Sequence, residues 1–302
     1  MDSTEGIIPP MITPLLSEEK LDLQGLNHLI DHLISGGVHG LFVLGTTGEG
    51  PSLNHALRLE LVKRVCERVG DRIPVLVGLM DTSYKESVDL AHKAKALGAK
   101  AFVVAPPCFF QIDQDELYNF TNQMLDDITL PVYLYNNPGL TKVSFELKTV
   151  EKLLTNDNVR GIKDSSGDMI YHQKLQAATK TSQTSLFIGP EELLMESLIM
   201  GGNGGVSGGA NIFPKLYVNM YNTVTSGNWK KARALQREIM QLSDVVYSGN
   251  GCGAAGVING IKSALNHLGI CSDYVARPLN KASEKKSKKI QNWLAEKEAS
   301  VK

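Results

Sequence analysis

The stretch GLFVLGTTGEG, residues 40–50, contains the pattern that decides the fold: an apolar run followed at once by a polar, glycine-rich turn. Beyond the turn, apolar residues recur at three- and four-residue spacing through residues 57–69, which is typical of an amphipathic helix. A strand that is apolar throughout is buried on both faces, as in a parallel sheet covered by helices. Residues 40–69 therefore predict one strand, turn and helix unit.

The same unit recurs along most of the chain. Apolar runs rich in strand-forming residues alternate with helical patterns, and these runs are residues 6–11, 40–44, 74–78, 101–105, 131–135, 159–162, 185–189 and 204–207. Such units either close into a barrel or form an open, doubly wound sheet, which usually carries a Gly-x-Gly-x-x-Gly turn after its first strand. No such turn follows Met11. We therefore predict an α/β protein with a (β/α)8 TIM barrel.

The length of the chain, 302 residues, suits one closed barrel with an appendage. We predict that residues 1–224 form the barrel, which is the catalytic domain. Residues 225–302 contain three more helical patterns, over 229–246, 256–268 and 283–298, and we expect them to form a C-terminal helical extension of the same domain unit.

Composition excludes several classes of partner. The formal net charge is −1 and the sequence pI is about 6.7, so no positive field attracts nucleic acid or an anionic membrane. No apolar run reaches the roughly 18 residues that cross a bilayer, and the polar start lacks a secretory signal. The four cysteines form no Cys-x-x-Cys pair, which predicts free thiols and no metal site. We expect a cytoplasmic protein that binds a small metabolite.

Polar clusters follow three of the predicted strands, at the end where active sites of barrels lie. They are GTTGEG at residues 45–50, YNNP at residues 135–138 and GIKDSSGD at residues 161–168. Lys163 follows a buried strand, and burial favours the neutral amine. A neutral amine can attack a ketone to give an iminium, an electron sink that lets a neighbouring carbon–carbon bond form or break. Lys163 is therefore the candidate nucleophile.

Hydroxyl groups in the same clusters complete the candidate chemistry. A phenol beside an iminium and a threonine hydroxyl can pass a proton without a metal, which makes Tyr135 the candidate proton-transfer group. Thr46 and Thr47 offer hydroxyl and backbone donors that suit a carboxylate. Each residue alone also fits an ordinary structural role, as a surface lysine, a buried tyrosine or a capped turn. Their combination favours catalysis.

The three clusters closely resemble, in order, spacing and residue type, those of the dihydrodipicolinate synthase and N-acetylneuraminate lyase family of class I aldolases. The resemblance extends from residues 6–10 through residues 204–207 to Lys262 and residues 277–279, so it covers nearly the whole chain. It implies a Schiff base between Lys163 and pyruvate or another 2-oxo acid, with Tyr135 as proton donor and acceptor. It also implies a homotetramer, built as a dimer of dimers, that needs no metal or organic cofactor.

The resemblance also assigns contacts to the oxo acid. Thr46 and Thr47 would bind its carboxylate, and Thr46 would link Tyr135 to a proton relay. The backbone around Val206 would contact the pyruvyl group.

Two departures separate this chain from the dihydrodipicolinate synthases. Residues 106–110 read PPCFF where those synthases usually carry a tyrosine pair, and phenylalanine lacks the hydroxyl that the relay needs. Residues 138–141 read PGLT where they carry an arginine that holds the carboxylate of the aldehyde substrate. Both departures argue against the synthase reaction.

Acidic residues follow the seventh predicted strand in the sequence GPEE, residues 189–192. Sugar-acid lyases of the family place similar residues against a polyhydroxyl chain, so Glu191 and Glu192 are candidate substrate-binding residues; the alternative is a solvated first turn of a helix. We expect cleavage of a 2-keto-3-deoxy sugar acid to pyruvate and an aldehyde. The alternatives are 4-hydroxy-tetrahydrodipicolinate synthase, a 2-oxo-acid dehydratase and, from another class, a catalytically silent barrel used for binding.

Overall fold

The strands of the barrel lie where the apolar runs predict them. The computed structural model describes residues 4–182, 184–248 and 253–301. Within these residues the parallel strands are β1 (Gly6–Ile7), β2 (Leu41–Val43), β3 (Val75–Leu79), β4 (Ala101–Val104), β5 (Val132–Asn136), β6 (Val159–Asp164), β7 (Ser185–Ile188) and β8 (Gly204–Gly205). Each strand from β2 to β7 pairs with the next strand along the chain, and β8 pairs with β1. The prediction of eight strands is confirmed.

The sheet closes just beyond the end of β1. The backbone N–H of Met11 donates to the carbonyl of Phe42 at 2.9 Å, and the N–H of Phe42 donates to the carbonyl of Pro9 at 3.0 Å. Between them, Pro10 pairs with Phe42 as an isolated parallel bridge. These contacts join β1 to β2 and complete the ring, so the predicted TIM barrel is confirmed.

Helices alternate with the strands and cover the barrel. They are α1 (Leu23–Ser35), α2 (His55–Val69), α3 (Tyr84–Ala96), α4 (Gln114–Asp127), α5 (Pro138–Thr141), α6 (Leu147–Leu153), α7 (Met169–Ser182), α8 (Leu194–Ile199), α9 (Pro214–Thr225), α10 (Trp229–Val246), α11 (Ala254–His267) and α12 (Glu284–Val301). The first four begin at side chains that accept a hydrogen bond from the N–H three residues on: Asp22, Asn54, Ser83 and Asp113. A short hairpin, Leu15–Ser17 with Lys20–Leu21, precedes α1.

The strands separate two apolar cores. The larger core lies between the strands and the helices. The smaller core fills the barrel and consists of Ile8, Phe42, Leu76, Ala101, Val103, Ala105, Tyr133, Tyr135, Phe187 and Val206. A packed interior of this kind prevents the barrel from acting as a pore and gives the site a rigid apolar base.

Helices α10, α11 and α12 lie in residues 225–302, with α10 at its predicted bounds and the other two within three residues of theirs. α10 and α11 pack closely, because a Cβ on Gly260 of α11 would overlap the carbonyl of Val246 in α10. No described helix is long and apolar enough to cross a membrane. Cys66, Cys108 and Cys271 are free thiols, and Cys252 lies outside the described residues.

Candidate active site

Lys163 and Tyr135 lie side by side at the mouth of the barrel. They are register partners on β6 and β5, so their side chains leave the sheet at the same level and in the same direction. The Lys163 Nζ is 4.0 Å from the centre of the Tyr135 ring and 5.2 Å from that of Phe42. Only 7% of Lys163 is exposed. The amine therefore lies at the boundary between the apolar barrel core and the loops.

The hydroxyl of Tyr135 is surrounded by polar side chains. Asn137 Nδ2 donates to it at 2.8 Å, and Thr46 Oγ1 lies 3.4 Å away. Burial alone would raise the pKa of Tyr135, but the positive charge of Lys163 and hydrogen bonds with Thr46, Asn137 and Ser165 hold it below its ordinary value. A phenol of this kind gives up its proton more readily than an ordinary tyrosine.

The turn that carries Thr46 and Thr47 has a strained backbone. Leu44 and Glu49, which flank it, have φ angles of +59° and +57°, a region that residues with a Cβ rarely adopt. Gly50 is required because a Cβ there would overlap the carbonyl of Leu44. From the barrel side, the Thr13 hydroxyl donates to the carbonyl of Gly48 at 2.6 Å. The turn is held in one conformation by its surroundings.

A buried ion pair attaches this turn to α11. Glu49 contacts Lys262 through one carboxylate oxygen, and the other oxygen accepts from the N–H of Ala276 at 2.7 Å. Lys262 Nζ also donates to the carbonyl of Tyr274 at 2.6 Å. Both side chains are fully buried, and burial raises the pKa of Glu49 and lowers that of Lys262. The pair connects the predicted carboxylate-binding turn to the C-terminal helices.

A second buried network supports the strand that carries Lys163. The Asp164 carboxylate accepts from Asn136 Nδ2 at 3.0 Å and lies 3.2 Å from His172 Nδ1. His172 Nε2 is 2.8 Å from Ser197 Oγ in α8. The Asn136 side chain in turn accepts from the N–H of Phe145 at 3.1 Å. These bonds fix the ends of β5 and β6 from the outer face of the barrel.

A cavity of about 370 Å³ opens above Lys163. Its polar lining residues are Thr46, Thr47, Tyr135, Asn137, Lys163, Ser165, Glu191, Glu192 and Tyr247, and Val206 lines it as well. The structure thus brings every predicted site residue to one cavity. Among the described residues that line it, Lys163 is the only cation.

The two acidic residues at this cavity differ in their surroundings. Glu191 is buried, and its carboxylate oxygens accept from the Tyr217 hydroxyl and, at 2.8 Å, from the N–H of Gly209. Burial, only partly offset by these bonds, raises the pKa of Glu191 to about 7. Glu192 is half-buried and accepts from the Ser243 hydroxyl through one oxygen.

The described residues contain no group of three or more His, Cys, Asp or Glu arranged to hold a metal ion. The expectation that the protein needs no metal or organic cofactor stays a prediction.

Comparison with known proteins identifies the family. The model of the dihydrodipicolinate synthetase family matches residues 3–297. The chain belongs to this family. The expected enzyme class, a class I pyruvate-dependent lyase or aldolase, is confirmed by this membership.

Relatives within the family carry different names. The chain is 45% identical to the dihydrodipicolinate synthase of Bacteroides thetaiotaomicron, with a TM-score of 0.94 over 98% of this chain and 99% of the other. It is 29% identical to YagE, a prophage protein of Escherichia coli K12 solved with pyruvate, with a TM-score of 0.91 over 97% and 98%. It is 32% identical to a probable 2-dehydro-3-deoxy-D-pentonate aldolase, YjhH, of Escherichia coli, over 97% of each chain.

Both departures from the family's synthases lie at the mouth of the barrel. Leu140 lines the cavity and is 44% exposed. Phe109 and Phe110 do not line it; they are 87% and 73% exposed, and their rings pack edge to face at 5.2 Å. Phe109 has a φ of +92°, so an exposed aromatic residue is held in a strained backbone.

Several residues of the site were not assigned a role from sequence. Asn137 and Ser165 lie in the recognised motifs, but their bonds to Tyr135 depend on loop geometry. Glu49 lies in the GTTGEG motif, whereas its partner Lys262 lies far along the chain. Tyr247 follows α10 without any motif, so nothing in the sequence singles it out.

Proposed function

We propose that this chain cleaves a 2-keto-3-deoxy sugar acid to pyruvate and an aldehyde through a Schiff base on Lys163. The observation that carries the proposal is the charge of the cavity, where the described lining offers one cation and two carboxyl groups. The oxo-acid end of the substrate needs the amine. The rest of the substrate then meets the carboxyl groups of Glu191 and Glu192, which accept hydrogen bonds from hydroxyls but have no favourable interaction with a carboxylate.

The proposed reaction uses Lys163 and Tyr135 in turn. The Lys163 amine, once it has given up its proton, adds to the C2 carbonyl, and loss of water gives an iminium. Tyr135 gives its proton to the hydroxyl that leaves as water, and the resulting phenolate then takes the proton of the C4 hydroxyl. The C3–C4 bond breaks, its electron pair moves toward the iminium to form an enamine, and the aldehyde leaves. The enamine is protonated at C3, and water releases pyruvate and the free amine. The lowered pKa of Tyr135 supports its part in these proton transfers.

The turn at Thr46 and Thr47 is proposed to bind the carboxylate of the oxo acid, with the backbone at Val206 against the pyruvyl group. The turn and Val206 line the cavity together with Lys163. Thr46 also lies 3.4 Å from the Tyr135 hydroxyl, which supports its proposed place in a proton relay.

The two acidic residues receive separate roles in this proposal. Glu192 is half-buried at the cavity and can accept from substrate hydroxyls. Glu191 lines the cavity too, but its oxygens already accept from Tyr217 and Gly209. Its proposed role is to hold the Gly208–Gly209 turn in place through the bond to Gly209, and not to bind the substrate itself.

The second candidate function is 4-hydroxy-tetrahydrodipicolinate synthase, which is favoured by the names of many relatives. That reaction joins pyruvate to an aldehyde that carries its own carboxylate. With Leu140 in the position of the arginine, and no second cation in the described lining, this carboxylate lacks a partner.

A side-by-side assay tests the choice. We expect 2-keto-3-deoxy pentonates or hexonates to release pyruvate with a higher kcat/KM than that for condensation of pyruvate with aspartate semialdehyde. If semialdehyde condensation is faster by an order of magnitude or more, the synthase assignment replaces the sugar-acid assignment.

We also propose a homotetramer, a dimer of dimers, in the cytoplasm. The exposed pair Phe109 and Phe110 supports it, because strained, exposed aromatic residues beside a site are typical of a covered surface. Light scattering after size exclusion would test it. We further propose that residues 225–302 extend the domain formed by residues 1–224, a view supported by the ion pair between Lys262 and Glu49.

A further inference from the structure

The hydroxyl of Tyr247 is an unused polar group at the cavity above Lys163. Its oxygen is buried and has no hydrogen-bond partner within the described part of the chain. The same side chain lines the cavity, on the side formed by the loops after β7 and β8. Buried hydroxyls nearly always have partners, so a lone one beside a substrate cavity indicates that the partner arrives with the substrate.

The fold holds this hydroxyl in a fixed place. Tyr247 caps the C-terminus of α10, where its N–H donates to the carbonyl of Ser243 at 2.9 Å. The preceding residue, Val246, is in tight contact with Gly260 of α11. On the cavity side, a Cβ on Gly208 would lie only 3.1 Å from the Tyr247 oxygen. A glycine at position 208 therefore leaves room for the phenol.

The Glu191 carboxyl group interacts electrostatically with this hydroxyl but makes no hydrogen bond of ordinary geometry with it. Both oxygens of Glu191 already accept hydrogen bonds, from Tyr217 and from the N–H of Gly209. Burial and the charge of Glu191 raise the pKa of Tyr247 well above its ordinary value, which keeps the phenol protonated. Tyr247 is therefore available as a donor at neutral pH.

A donor and an acceptor together match a hydroxyl group. An alcohol accepts one hydrogen bond and donates another, whereas a carboxylate only accepts and a methylene group does neither. Tyr247 offers a donor and the half-buried Glu192 offers an acceptor, and both line the same cavity. Thr46, Thr47 and Tyr135 come from the opposite side, after β2 and β5.

We propose that Tyr247 determines specificity for the aldehyde part of the substrate, by donating a hydrogen bond to one of its hydroxyl oxygens. This inference rests on the proposed cleavage of a sugar acid and identifies the residue that recognises its polyhydroxyl end. A site built to bond a substrate hydroxyl rejects the analogue that lacks it, because its own polar group is then left buried and unpaired.

The test compares two three-carbon aldehydes in the condensation direction. Pyruvate is offered either glyceraldehyde, as each enantiomer, or propanal, which has the same chain without the two hydroxyls. Tyr247→Phe removes only the hydroxyl. We expect it to lower kcat/KM for the preferred glyceraldehyde by about 10- to 100-fold and to change that for propanal by less than about twofold. Borohydride trapping of pyruvate should be unchanged.

The matched control is Tyr221→Phe, whose hydroxyl donates to Glu5 at 3.2 Å, away from the cavity. It should leave both rates and their ratio unchanged. An equal loss with both aldehydes, or no loss with glyceraldehyde, would overturn the role of Tyr247 alone. A wild-type chain that traps pyruvate but condenses it with neither enantiomer would overturn the sugar-acid function and, with it, this subsite.

Discussion

The buried ion pair between Glu49 and Lys262 provides a test of how the turn that carries Thr46 is held. We expect Lys262→Met to lower the free energy of unfolding by about 3 kcal/mol at pH 7, the low end of the loss usual when one member of a buried pair is removed. Methionine keeps most of the length and apolar volume of lysine. The loss would therefore come from the missing ammonium, not from a cavity.

The size of this loss follows from the protonation of Glu49. Once Lys262 is gone, the carboxyl can take up a proton, and holding it protonated at pH 7 against an ordinary value near 4.5 costs about 3.4 kcal/mol. Its folded-state pKa then lies above the unfolded value, so the stability of the neutral form is complete below about pH 4.5 and is lost as pH rises. The deficit should shrink to about 1 kcal/mol at pH 5.

Urea unfolding followed by circular dichroism at pH 5 and pH 7 measures both values. The double variant Glu49→Gln with Lys262→Met should recover most of the loss, because no buried charge remains. Lys281→Met is the matched control: its 2.6 Å contact with Asp273 is exposed, so it should cost less than about 1 kcal/mol. A small loss for Lys262→Met at pH 7, or one that does not depend on pH, would refute the reasoning.

Three further predictions concern the catalytic and acidic residues. Lys163→Ala should abolish the borohydride-trapped pyruvyl adduct, measured by intact-protein mass, while circular dichroism stays unchanged; an adduct on another lysine would exclude Lys163 as the nucleophile. Tyr135→Phe should still trap pyruvate but lower kcat by roughly 10²- to 10⁴-fold, and a near-normal rate would assign proton transfer to another group. The raised pKa of Glu191, about 7, means that its contribution to stability is complete below about pH 4.5 and is lost as pH rises through 7. Urea unfolding should show this loss, up to about 3 kcal/mol, in the wild type and not in Glu191→Gln; equal pH profiles for the two would contradict it.

Most of the barrel could be predicted from sequence because its signals are local. A strand buried on both faces is apolar throughout, and a helix on the barrel surface repeats every three to four residues, so both patterns appear within a few neighbouring residues. The closure of the ring has no such local signal and is predicted only from the absence of a Gly-x-Gly-x-x-Gly turn. It depends on bonds between residues 9–11 and Phe42, which lie in segments separated by α1.

The residues of the site show the same difference between local signals and long-range contacts. Lys163, Tyr135 and Thr46 lie in compact motifs whose chemistry can be interpreted from residue type and position at strand ends. The contacts that fix them are long-range: Glu49 bonds to the N–H of Ala276, which is 227 residues away. Position in sequence indicates acidic residues after β7, but only packing shows that Glu191 is buried with both oxygens bonded, whereas Glu192 is half-buried and bonded through one oxygen.

The acidic residues explain why the absence of an arginine and the proposed preference for hydroxyls belong together. A second carboxylate in the cavity would face Glu192 and a partly charged Glu191, and two like charges 4 Å apart repel by about 4 kcal/mol at the effective dielectric of a protein surface. An arginine at position 140 would attract that carboxylate, but it would also pair with the acidic residues and withdraw them from hydroxyl groups. With Leu140 in its place, no side chain at this position attracts a second carboxylate, and the acidic residues repel it. Both effects then disfavour a charged partner. We therefore propose that the cavity admits one carboxylate, that of the oxo acid beside Lys163, and selects an uncharged partner for the bond that is made or broken.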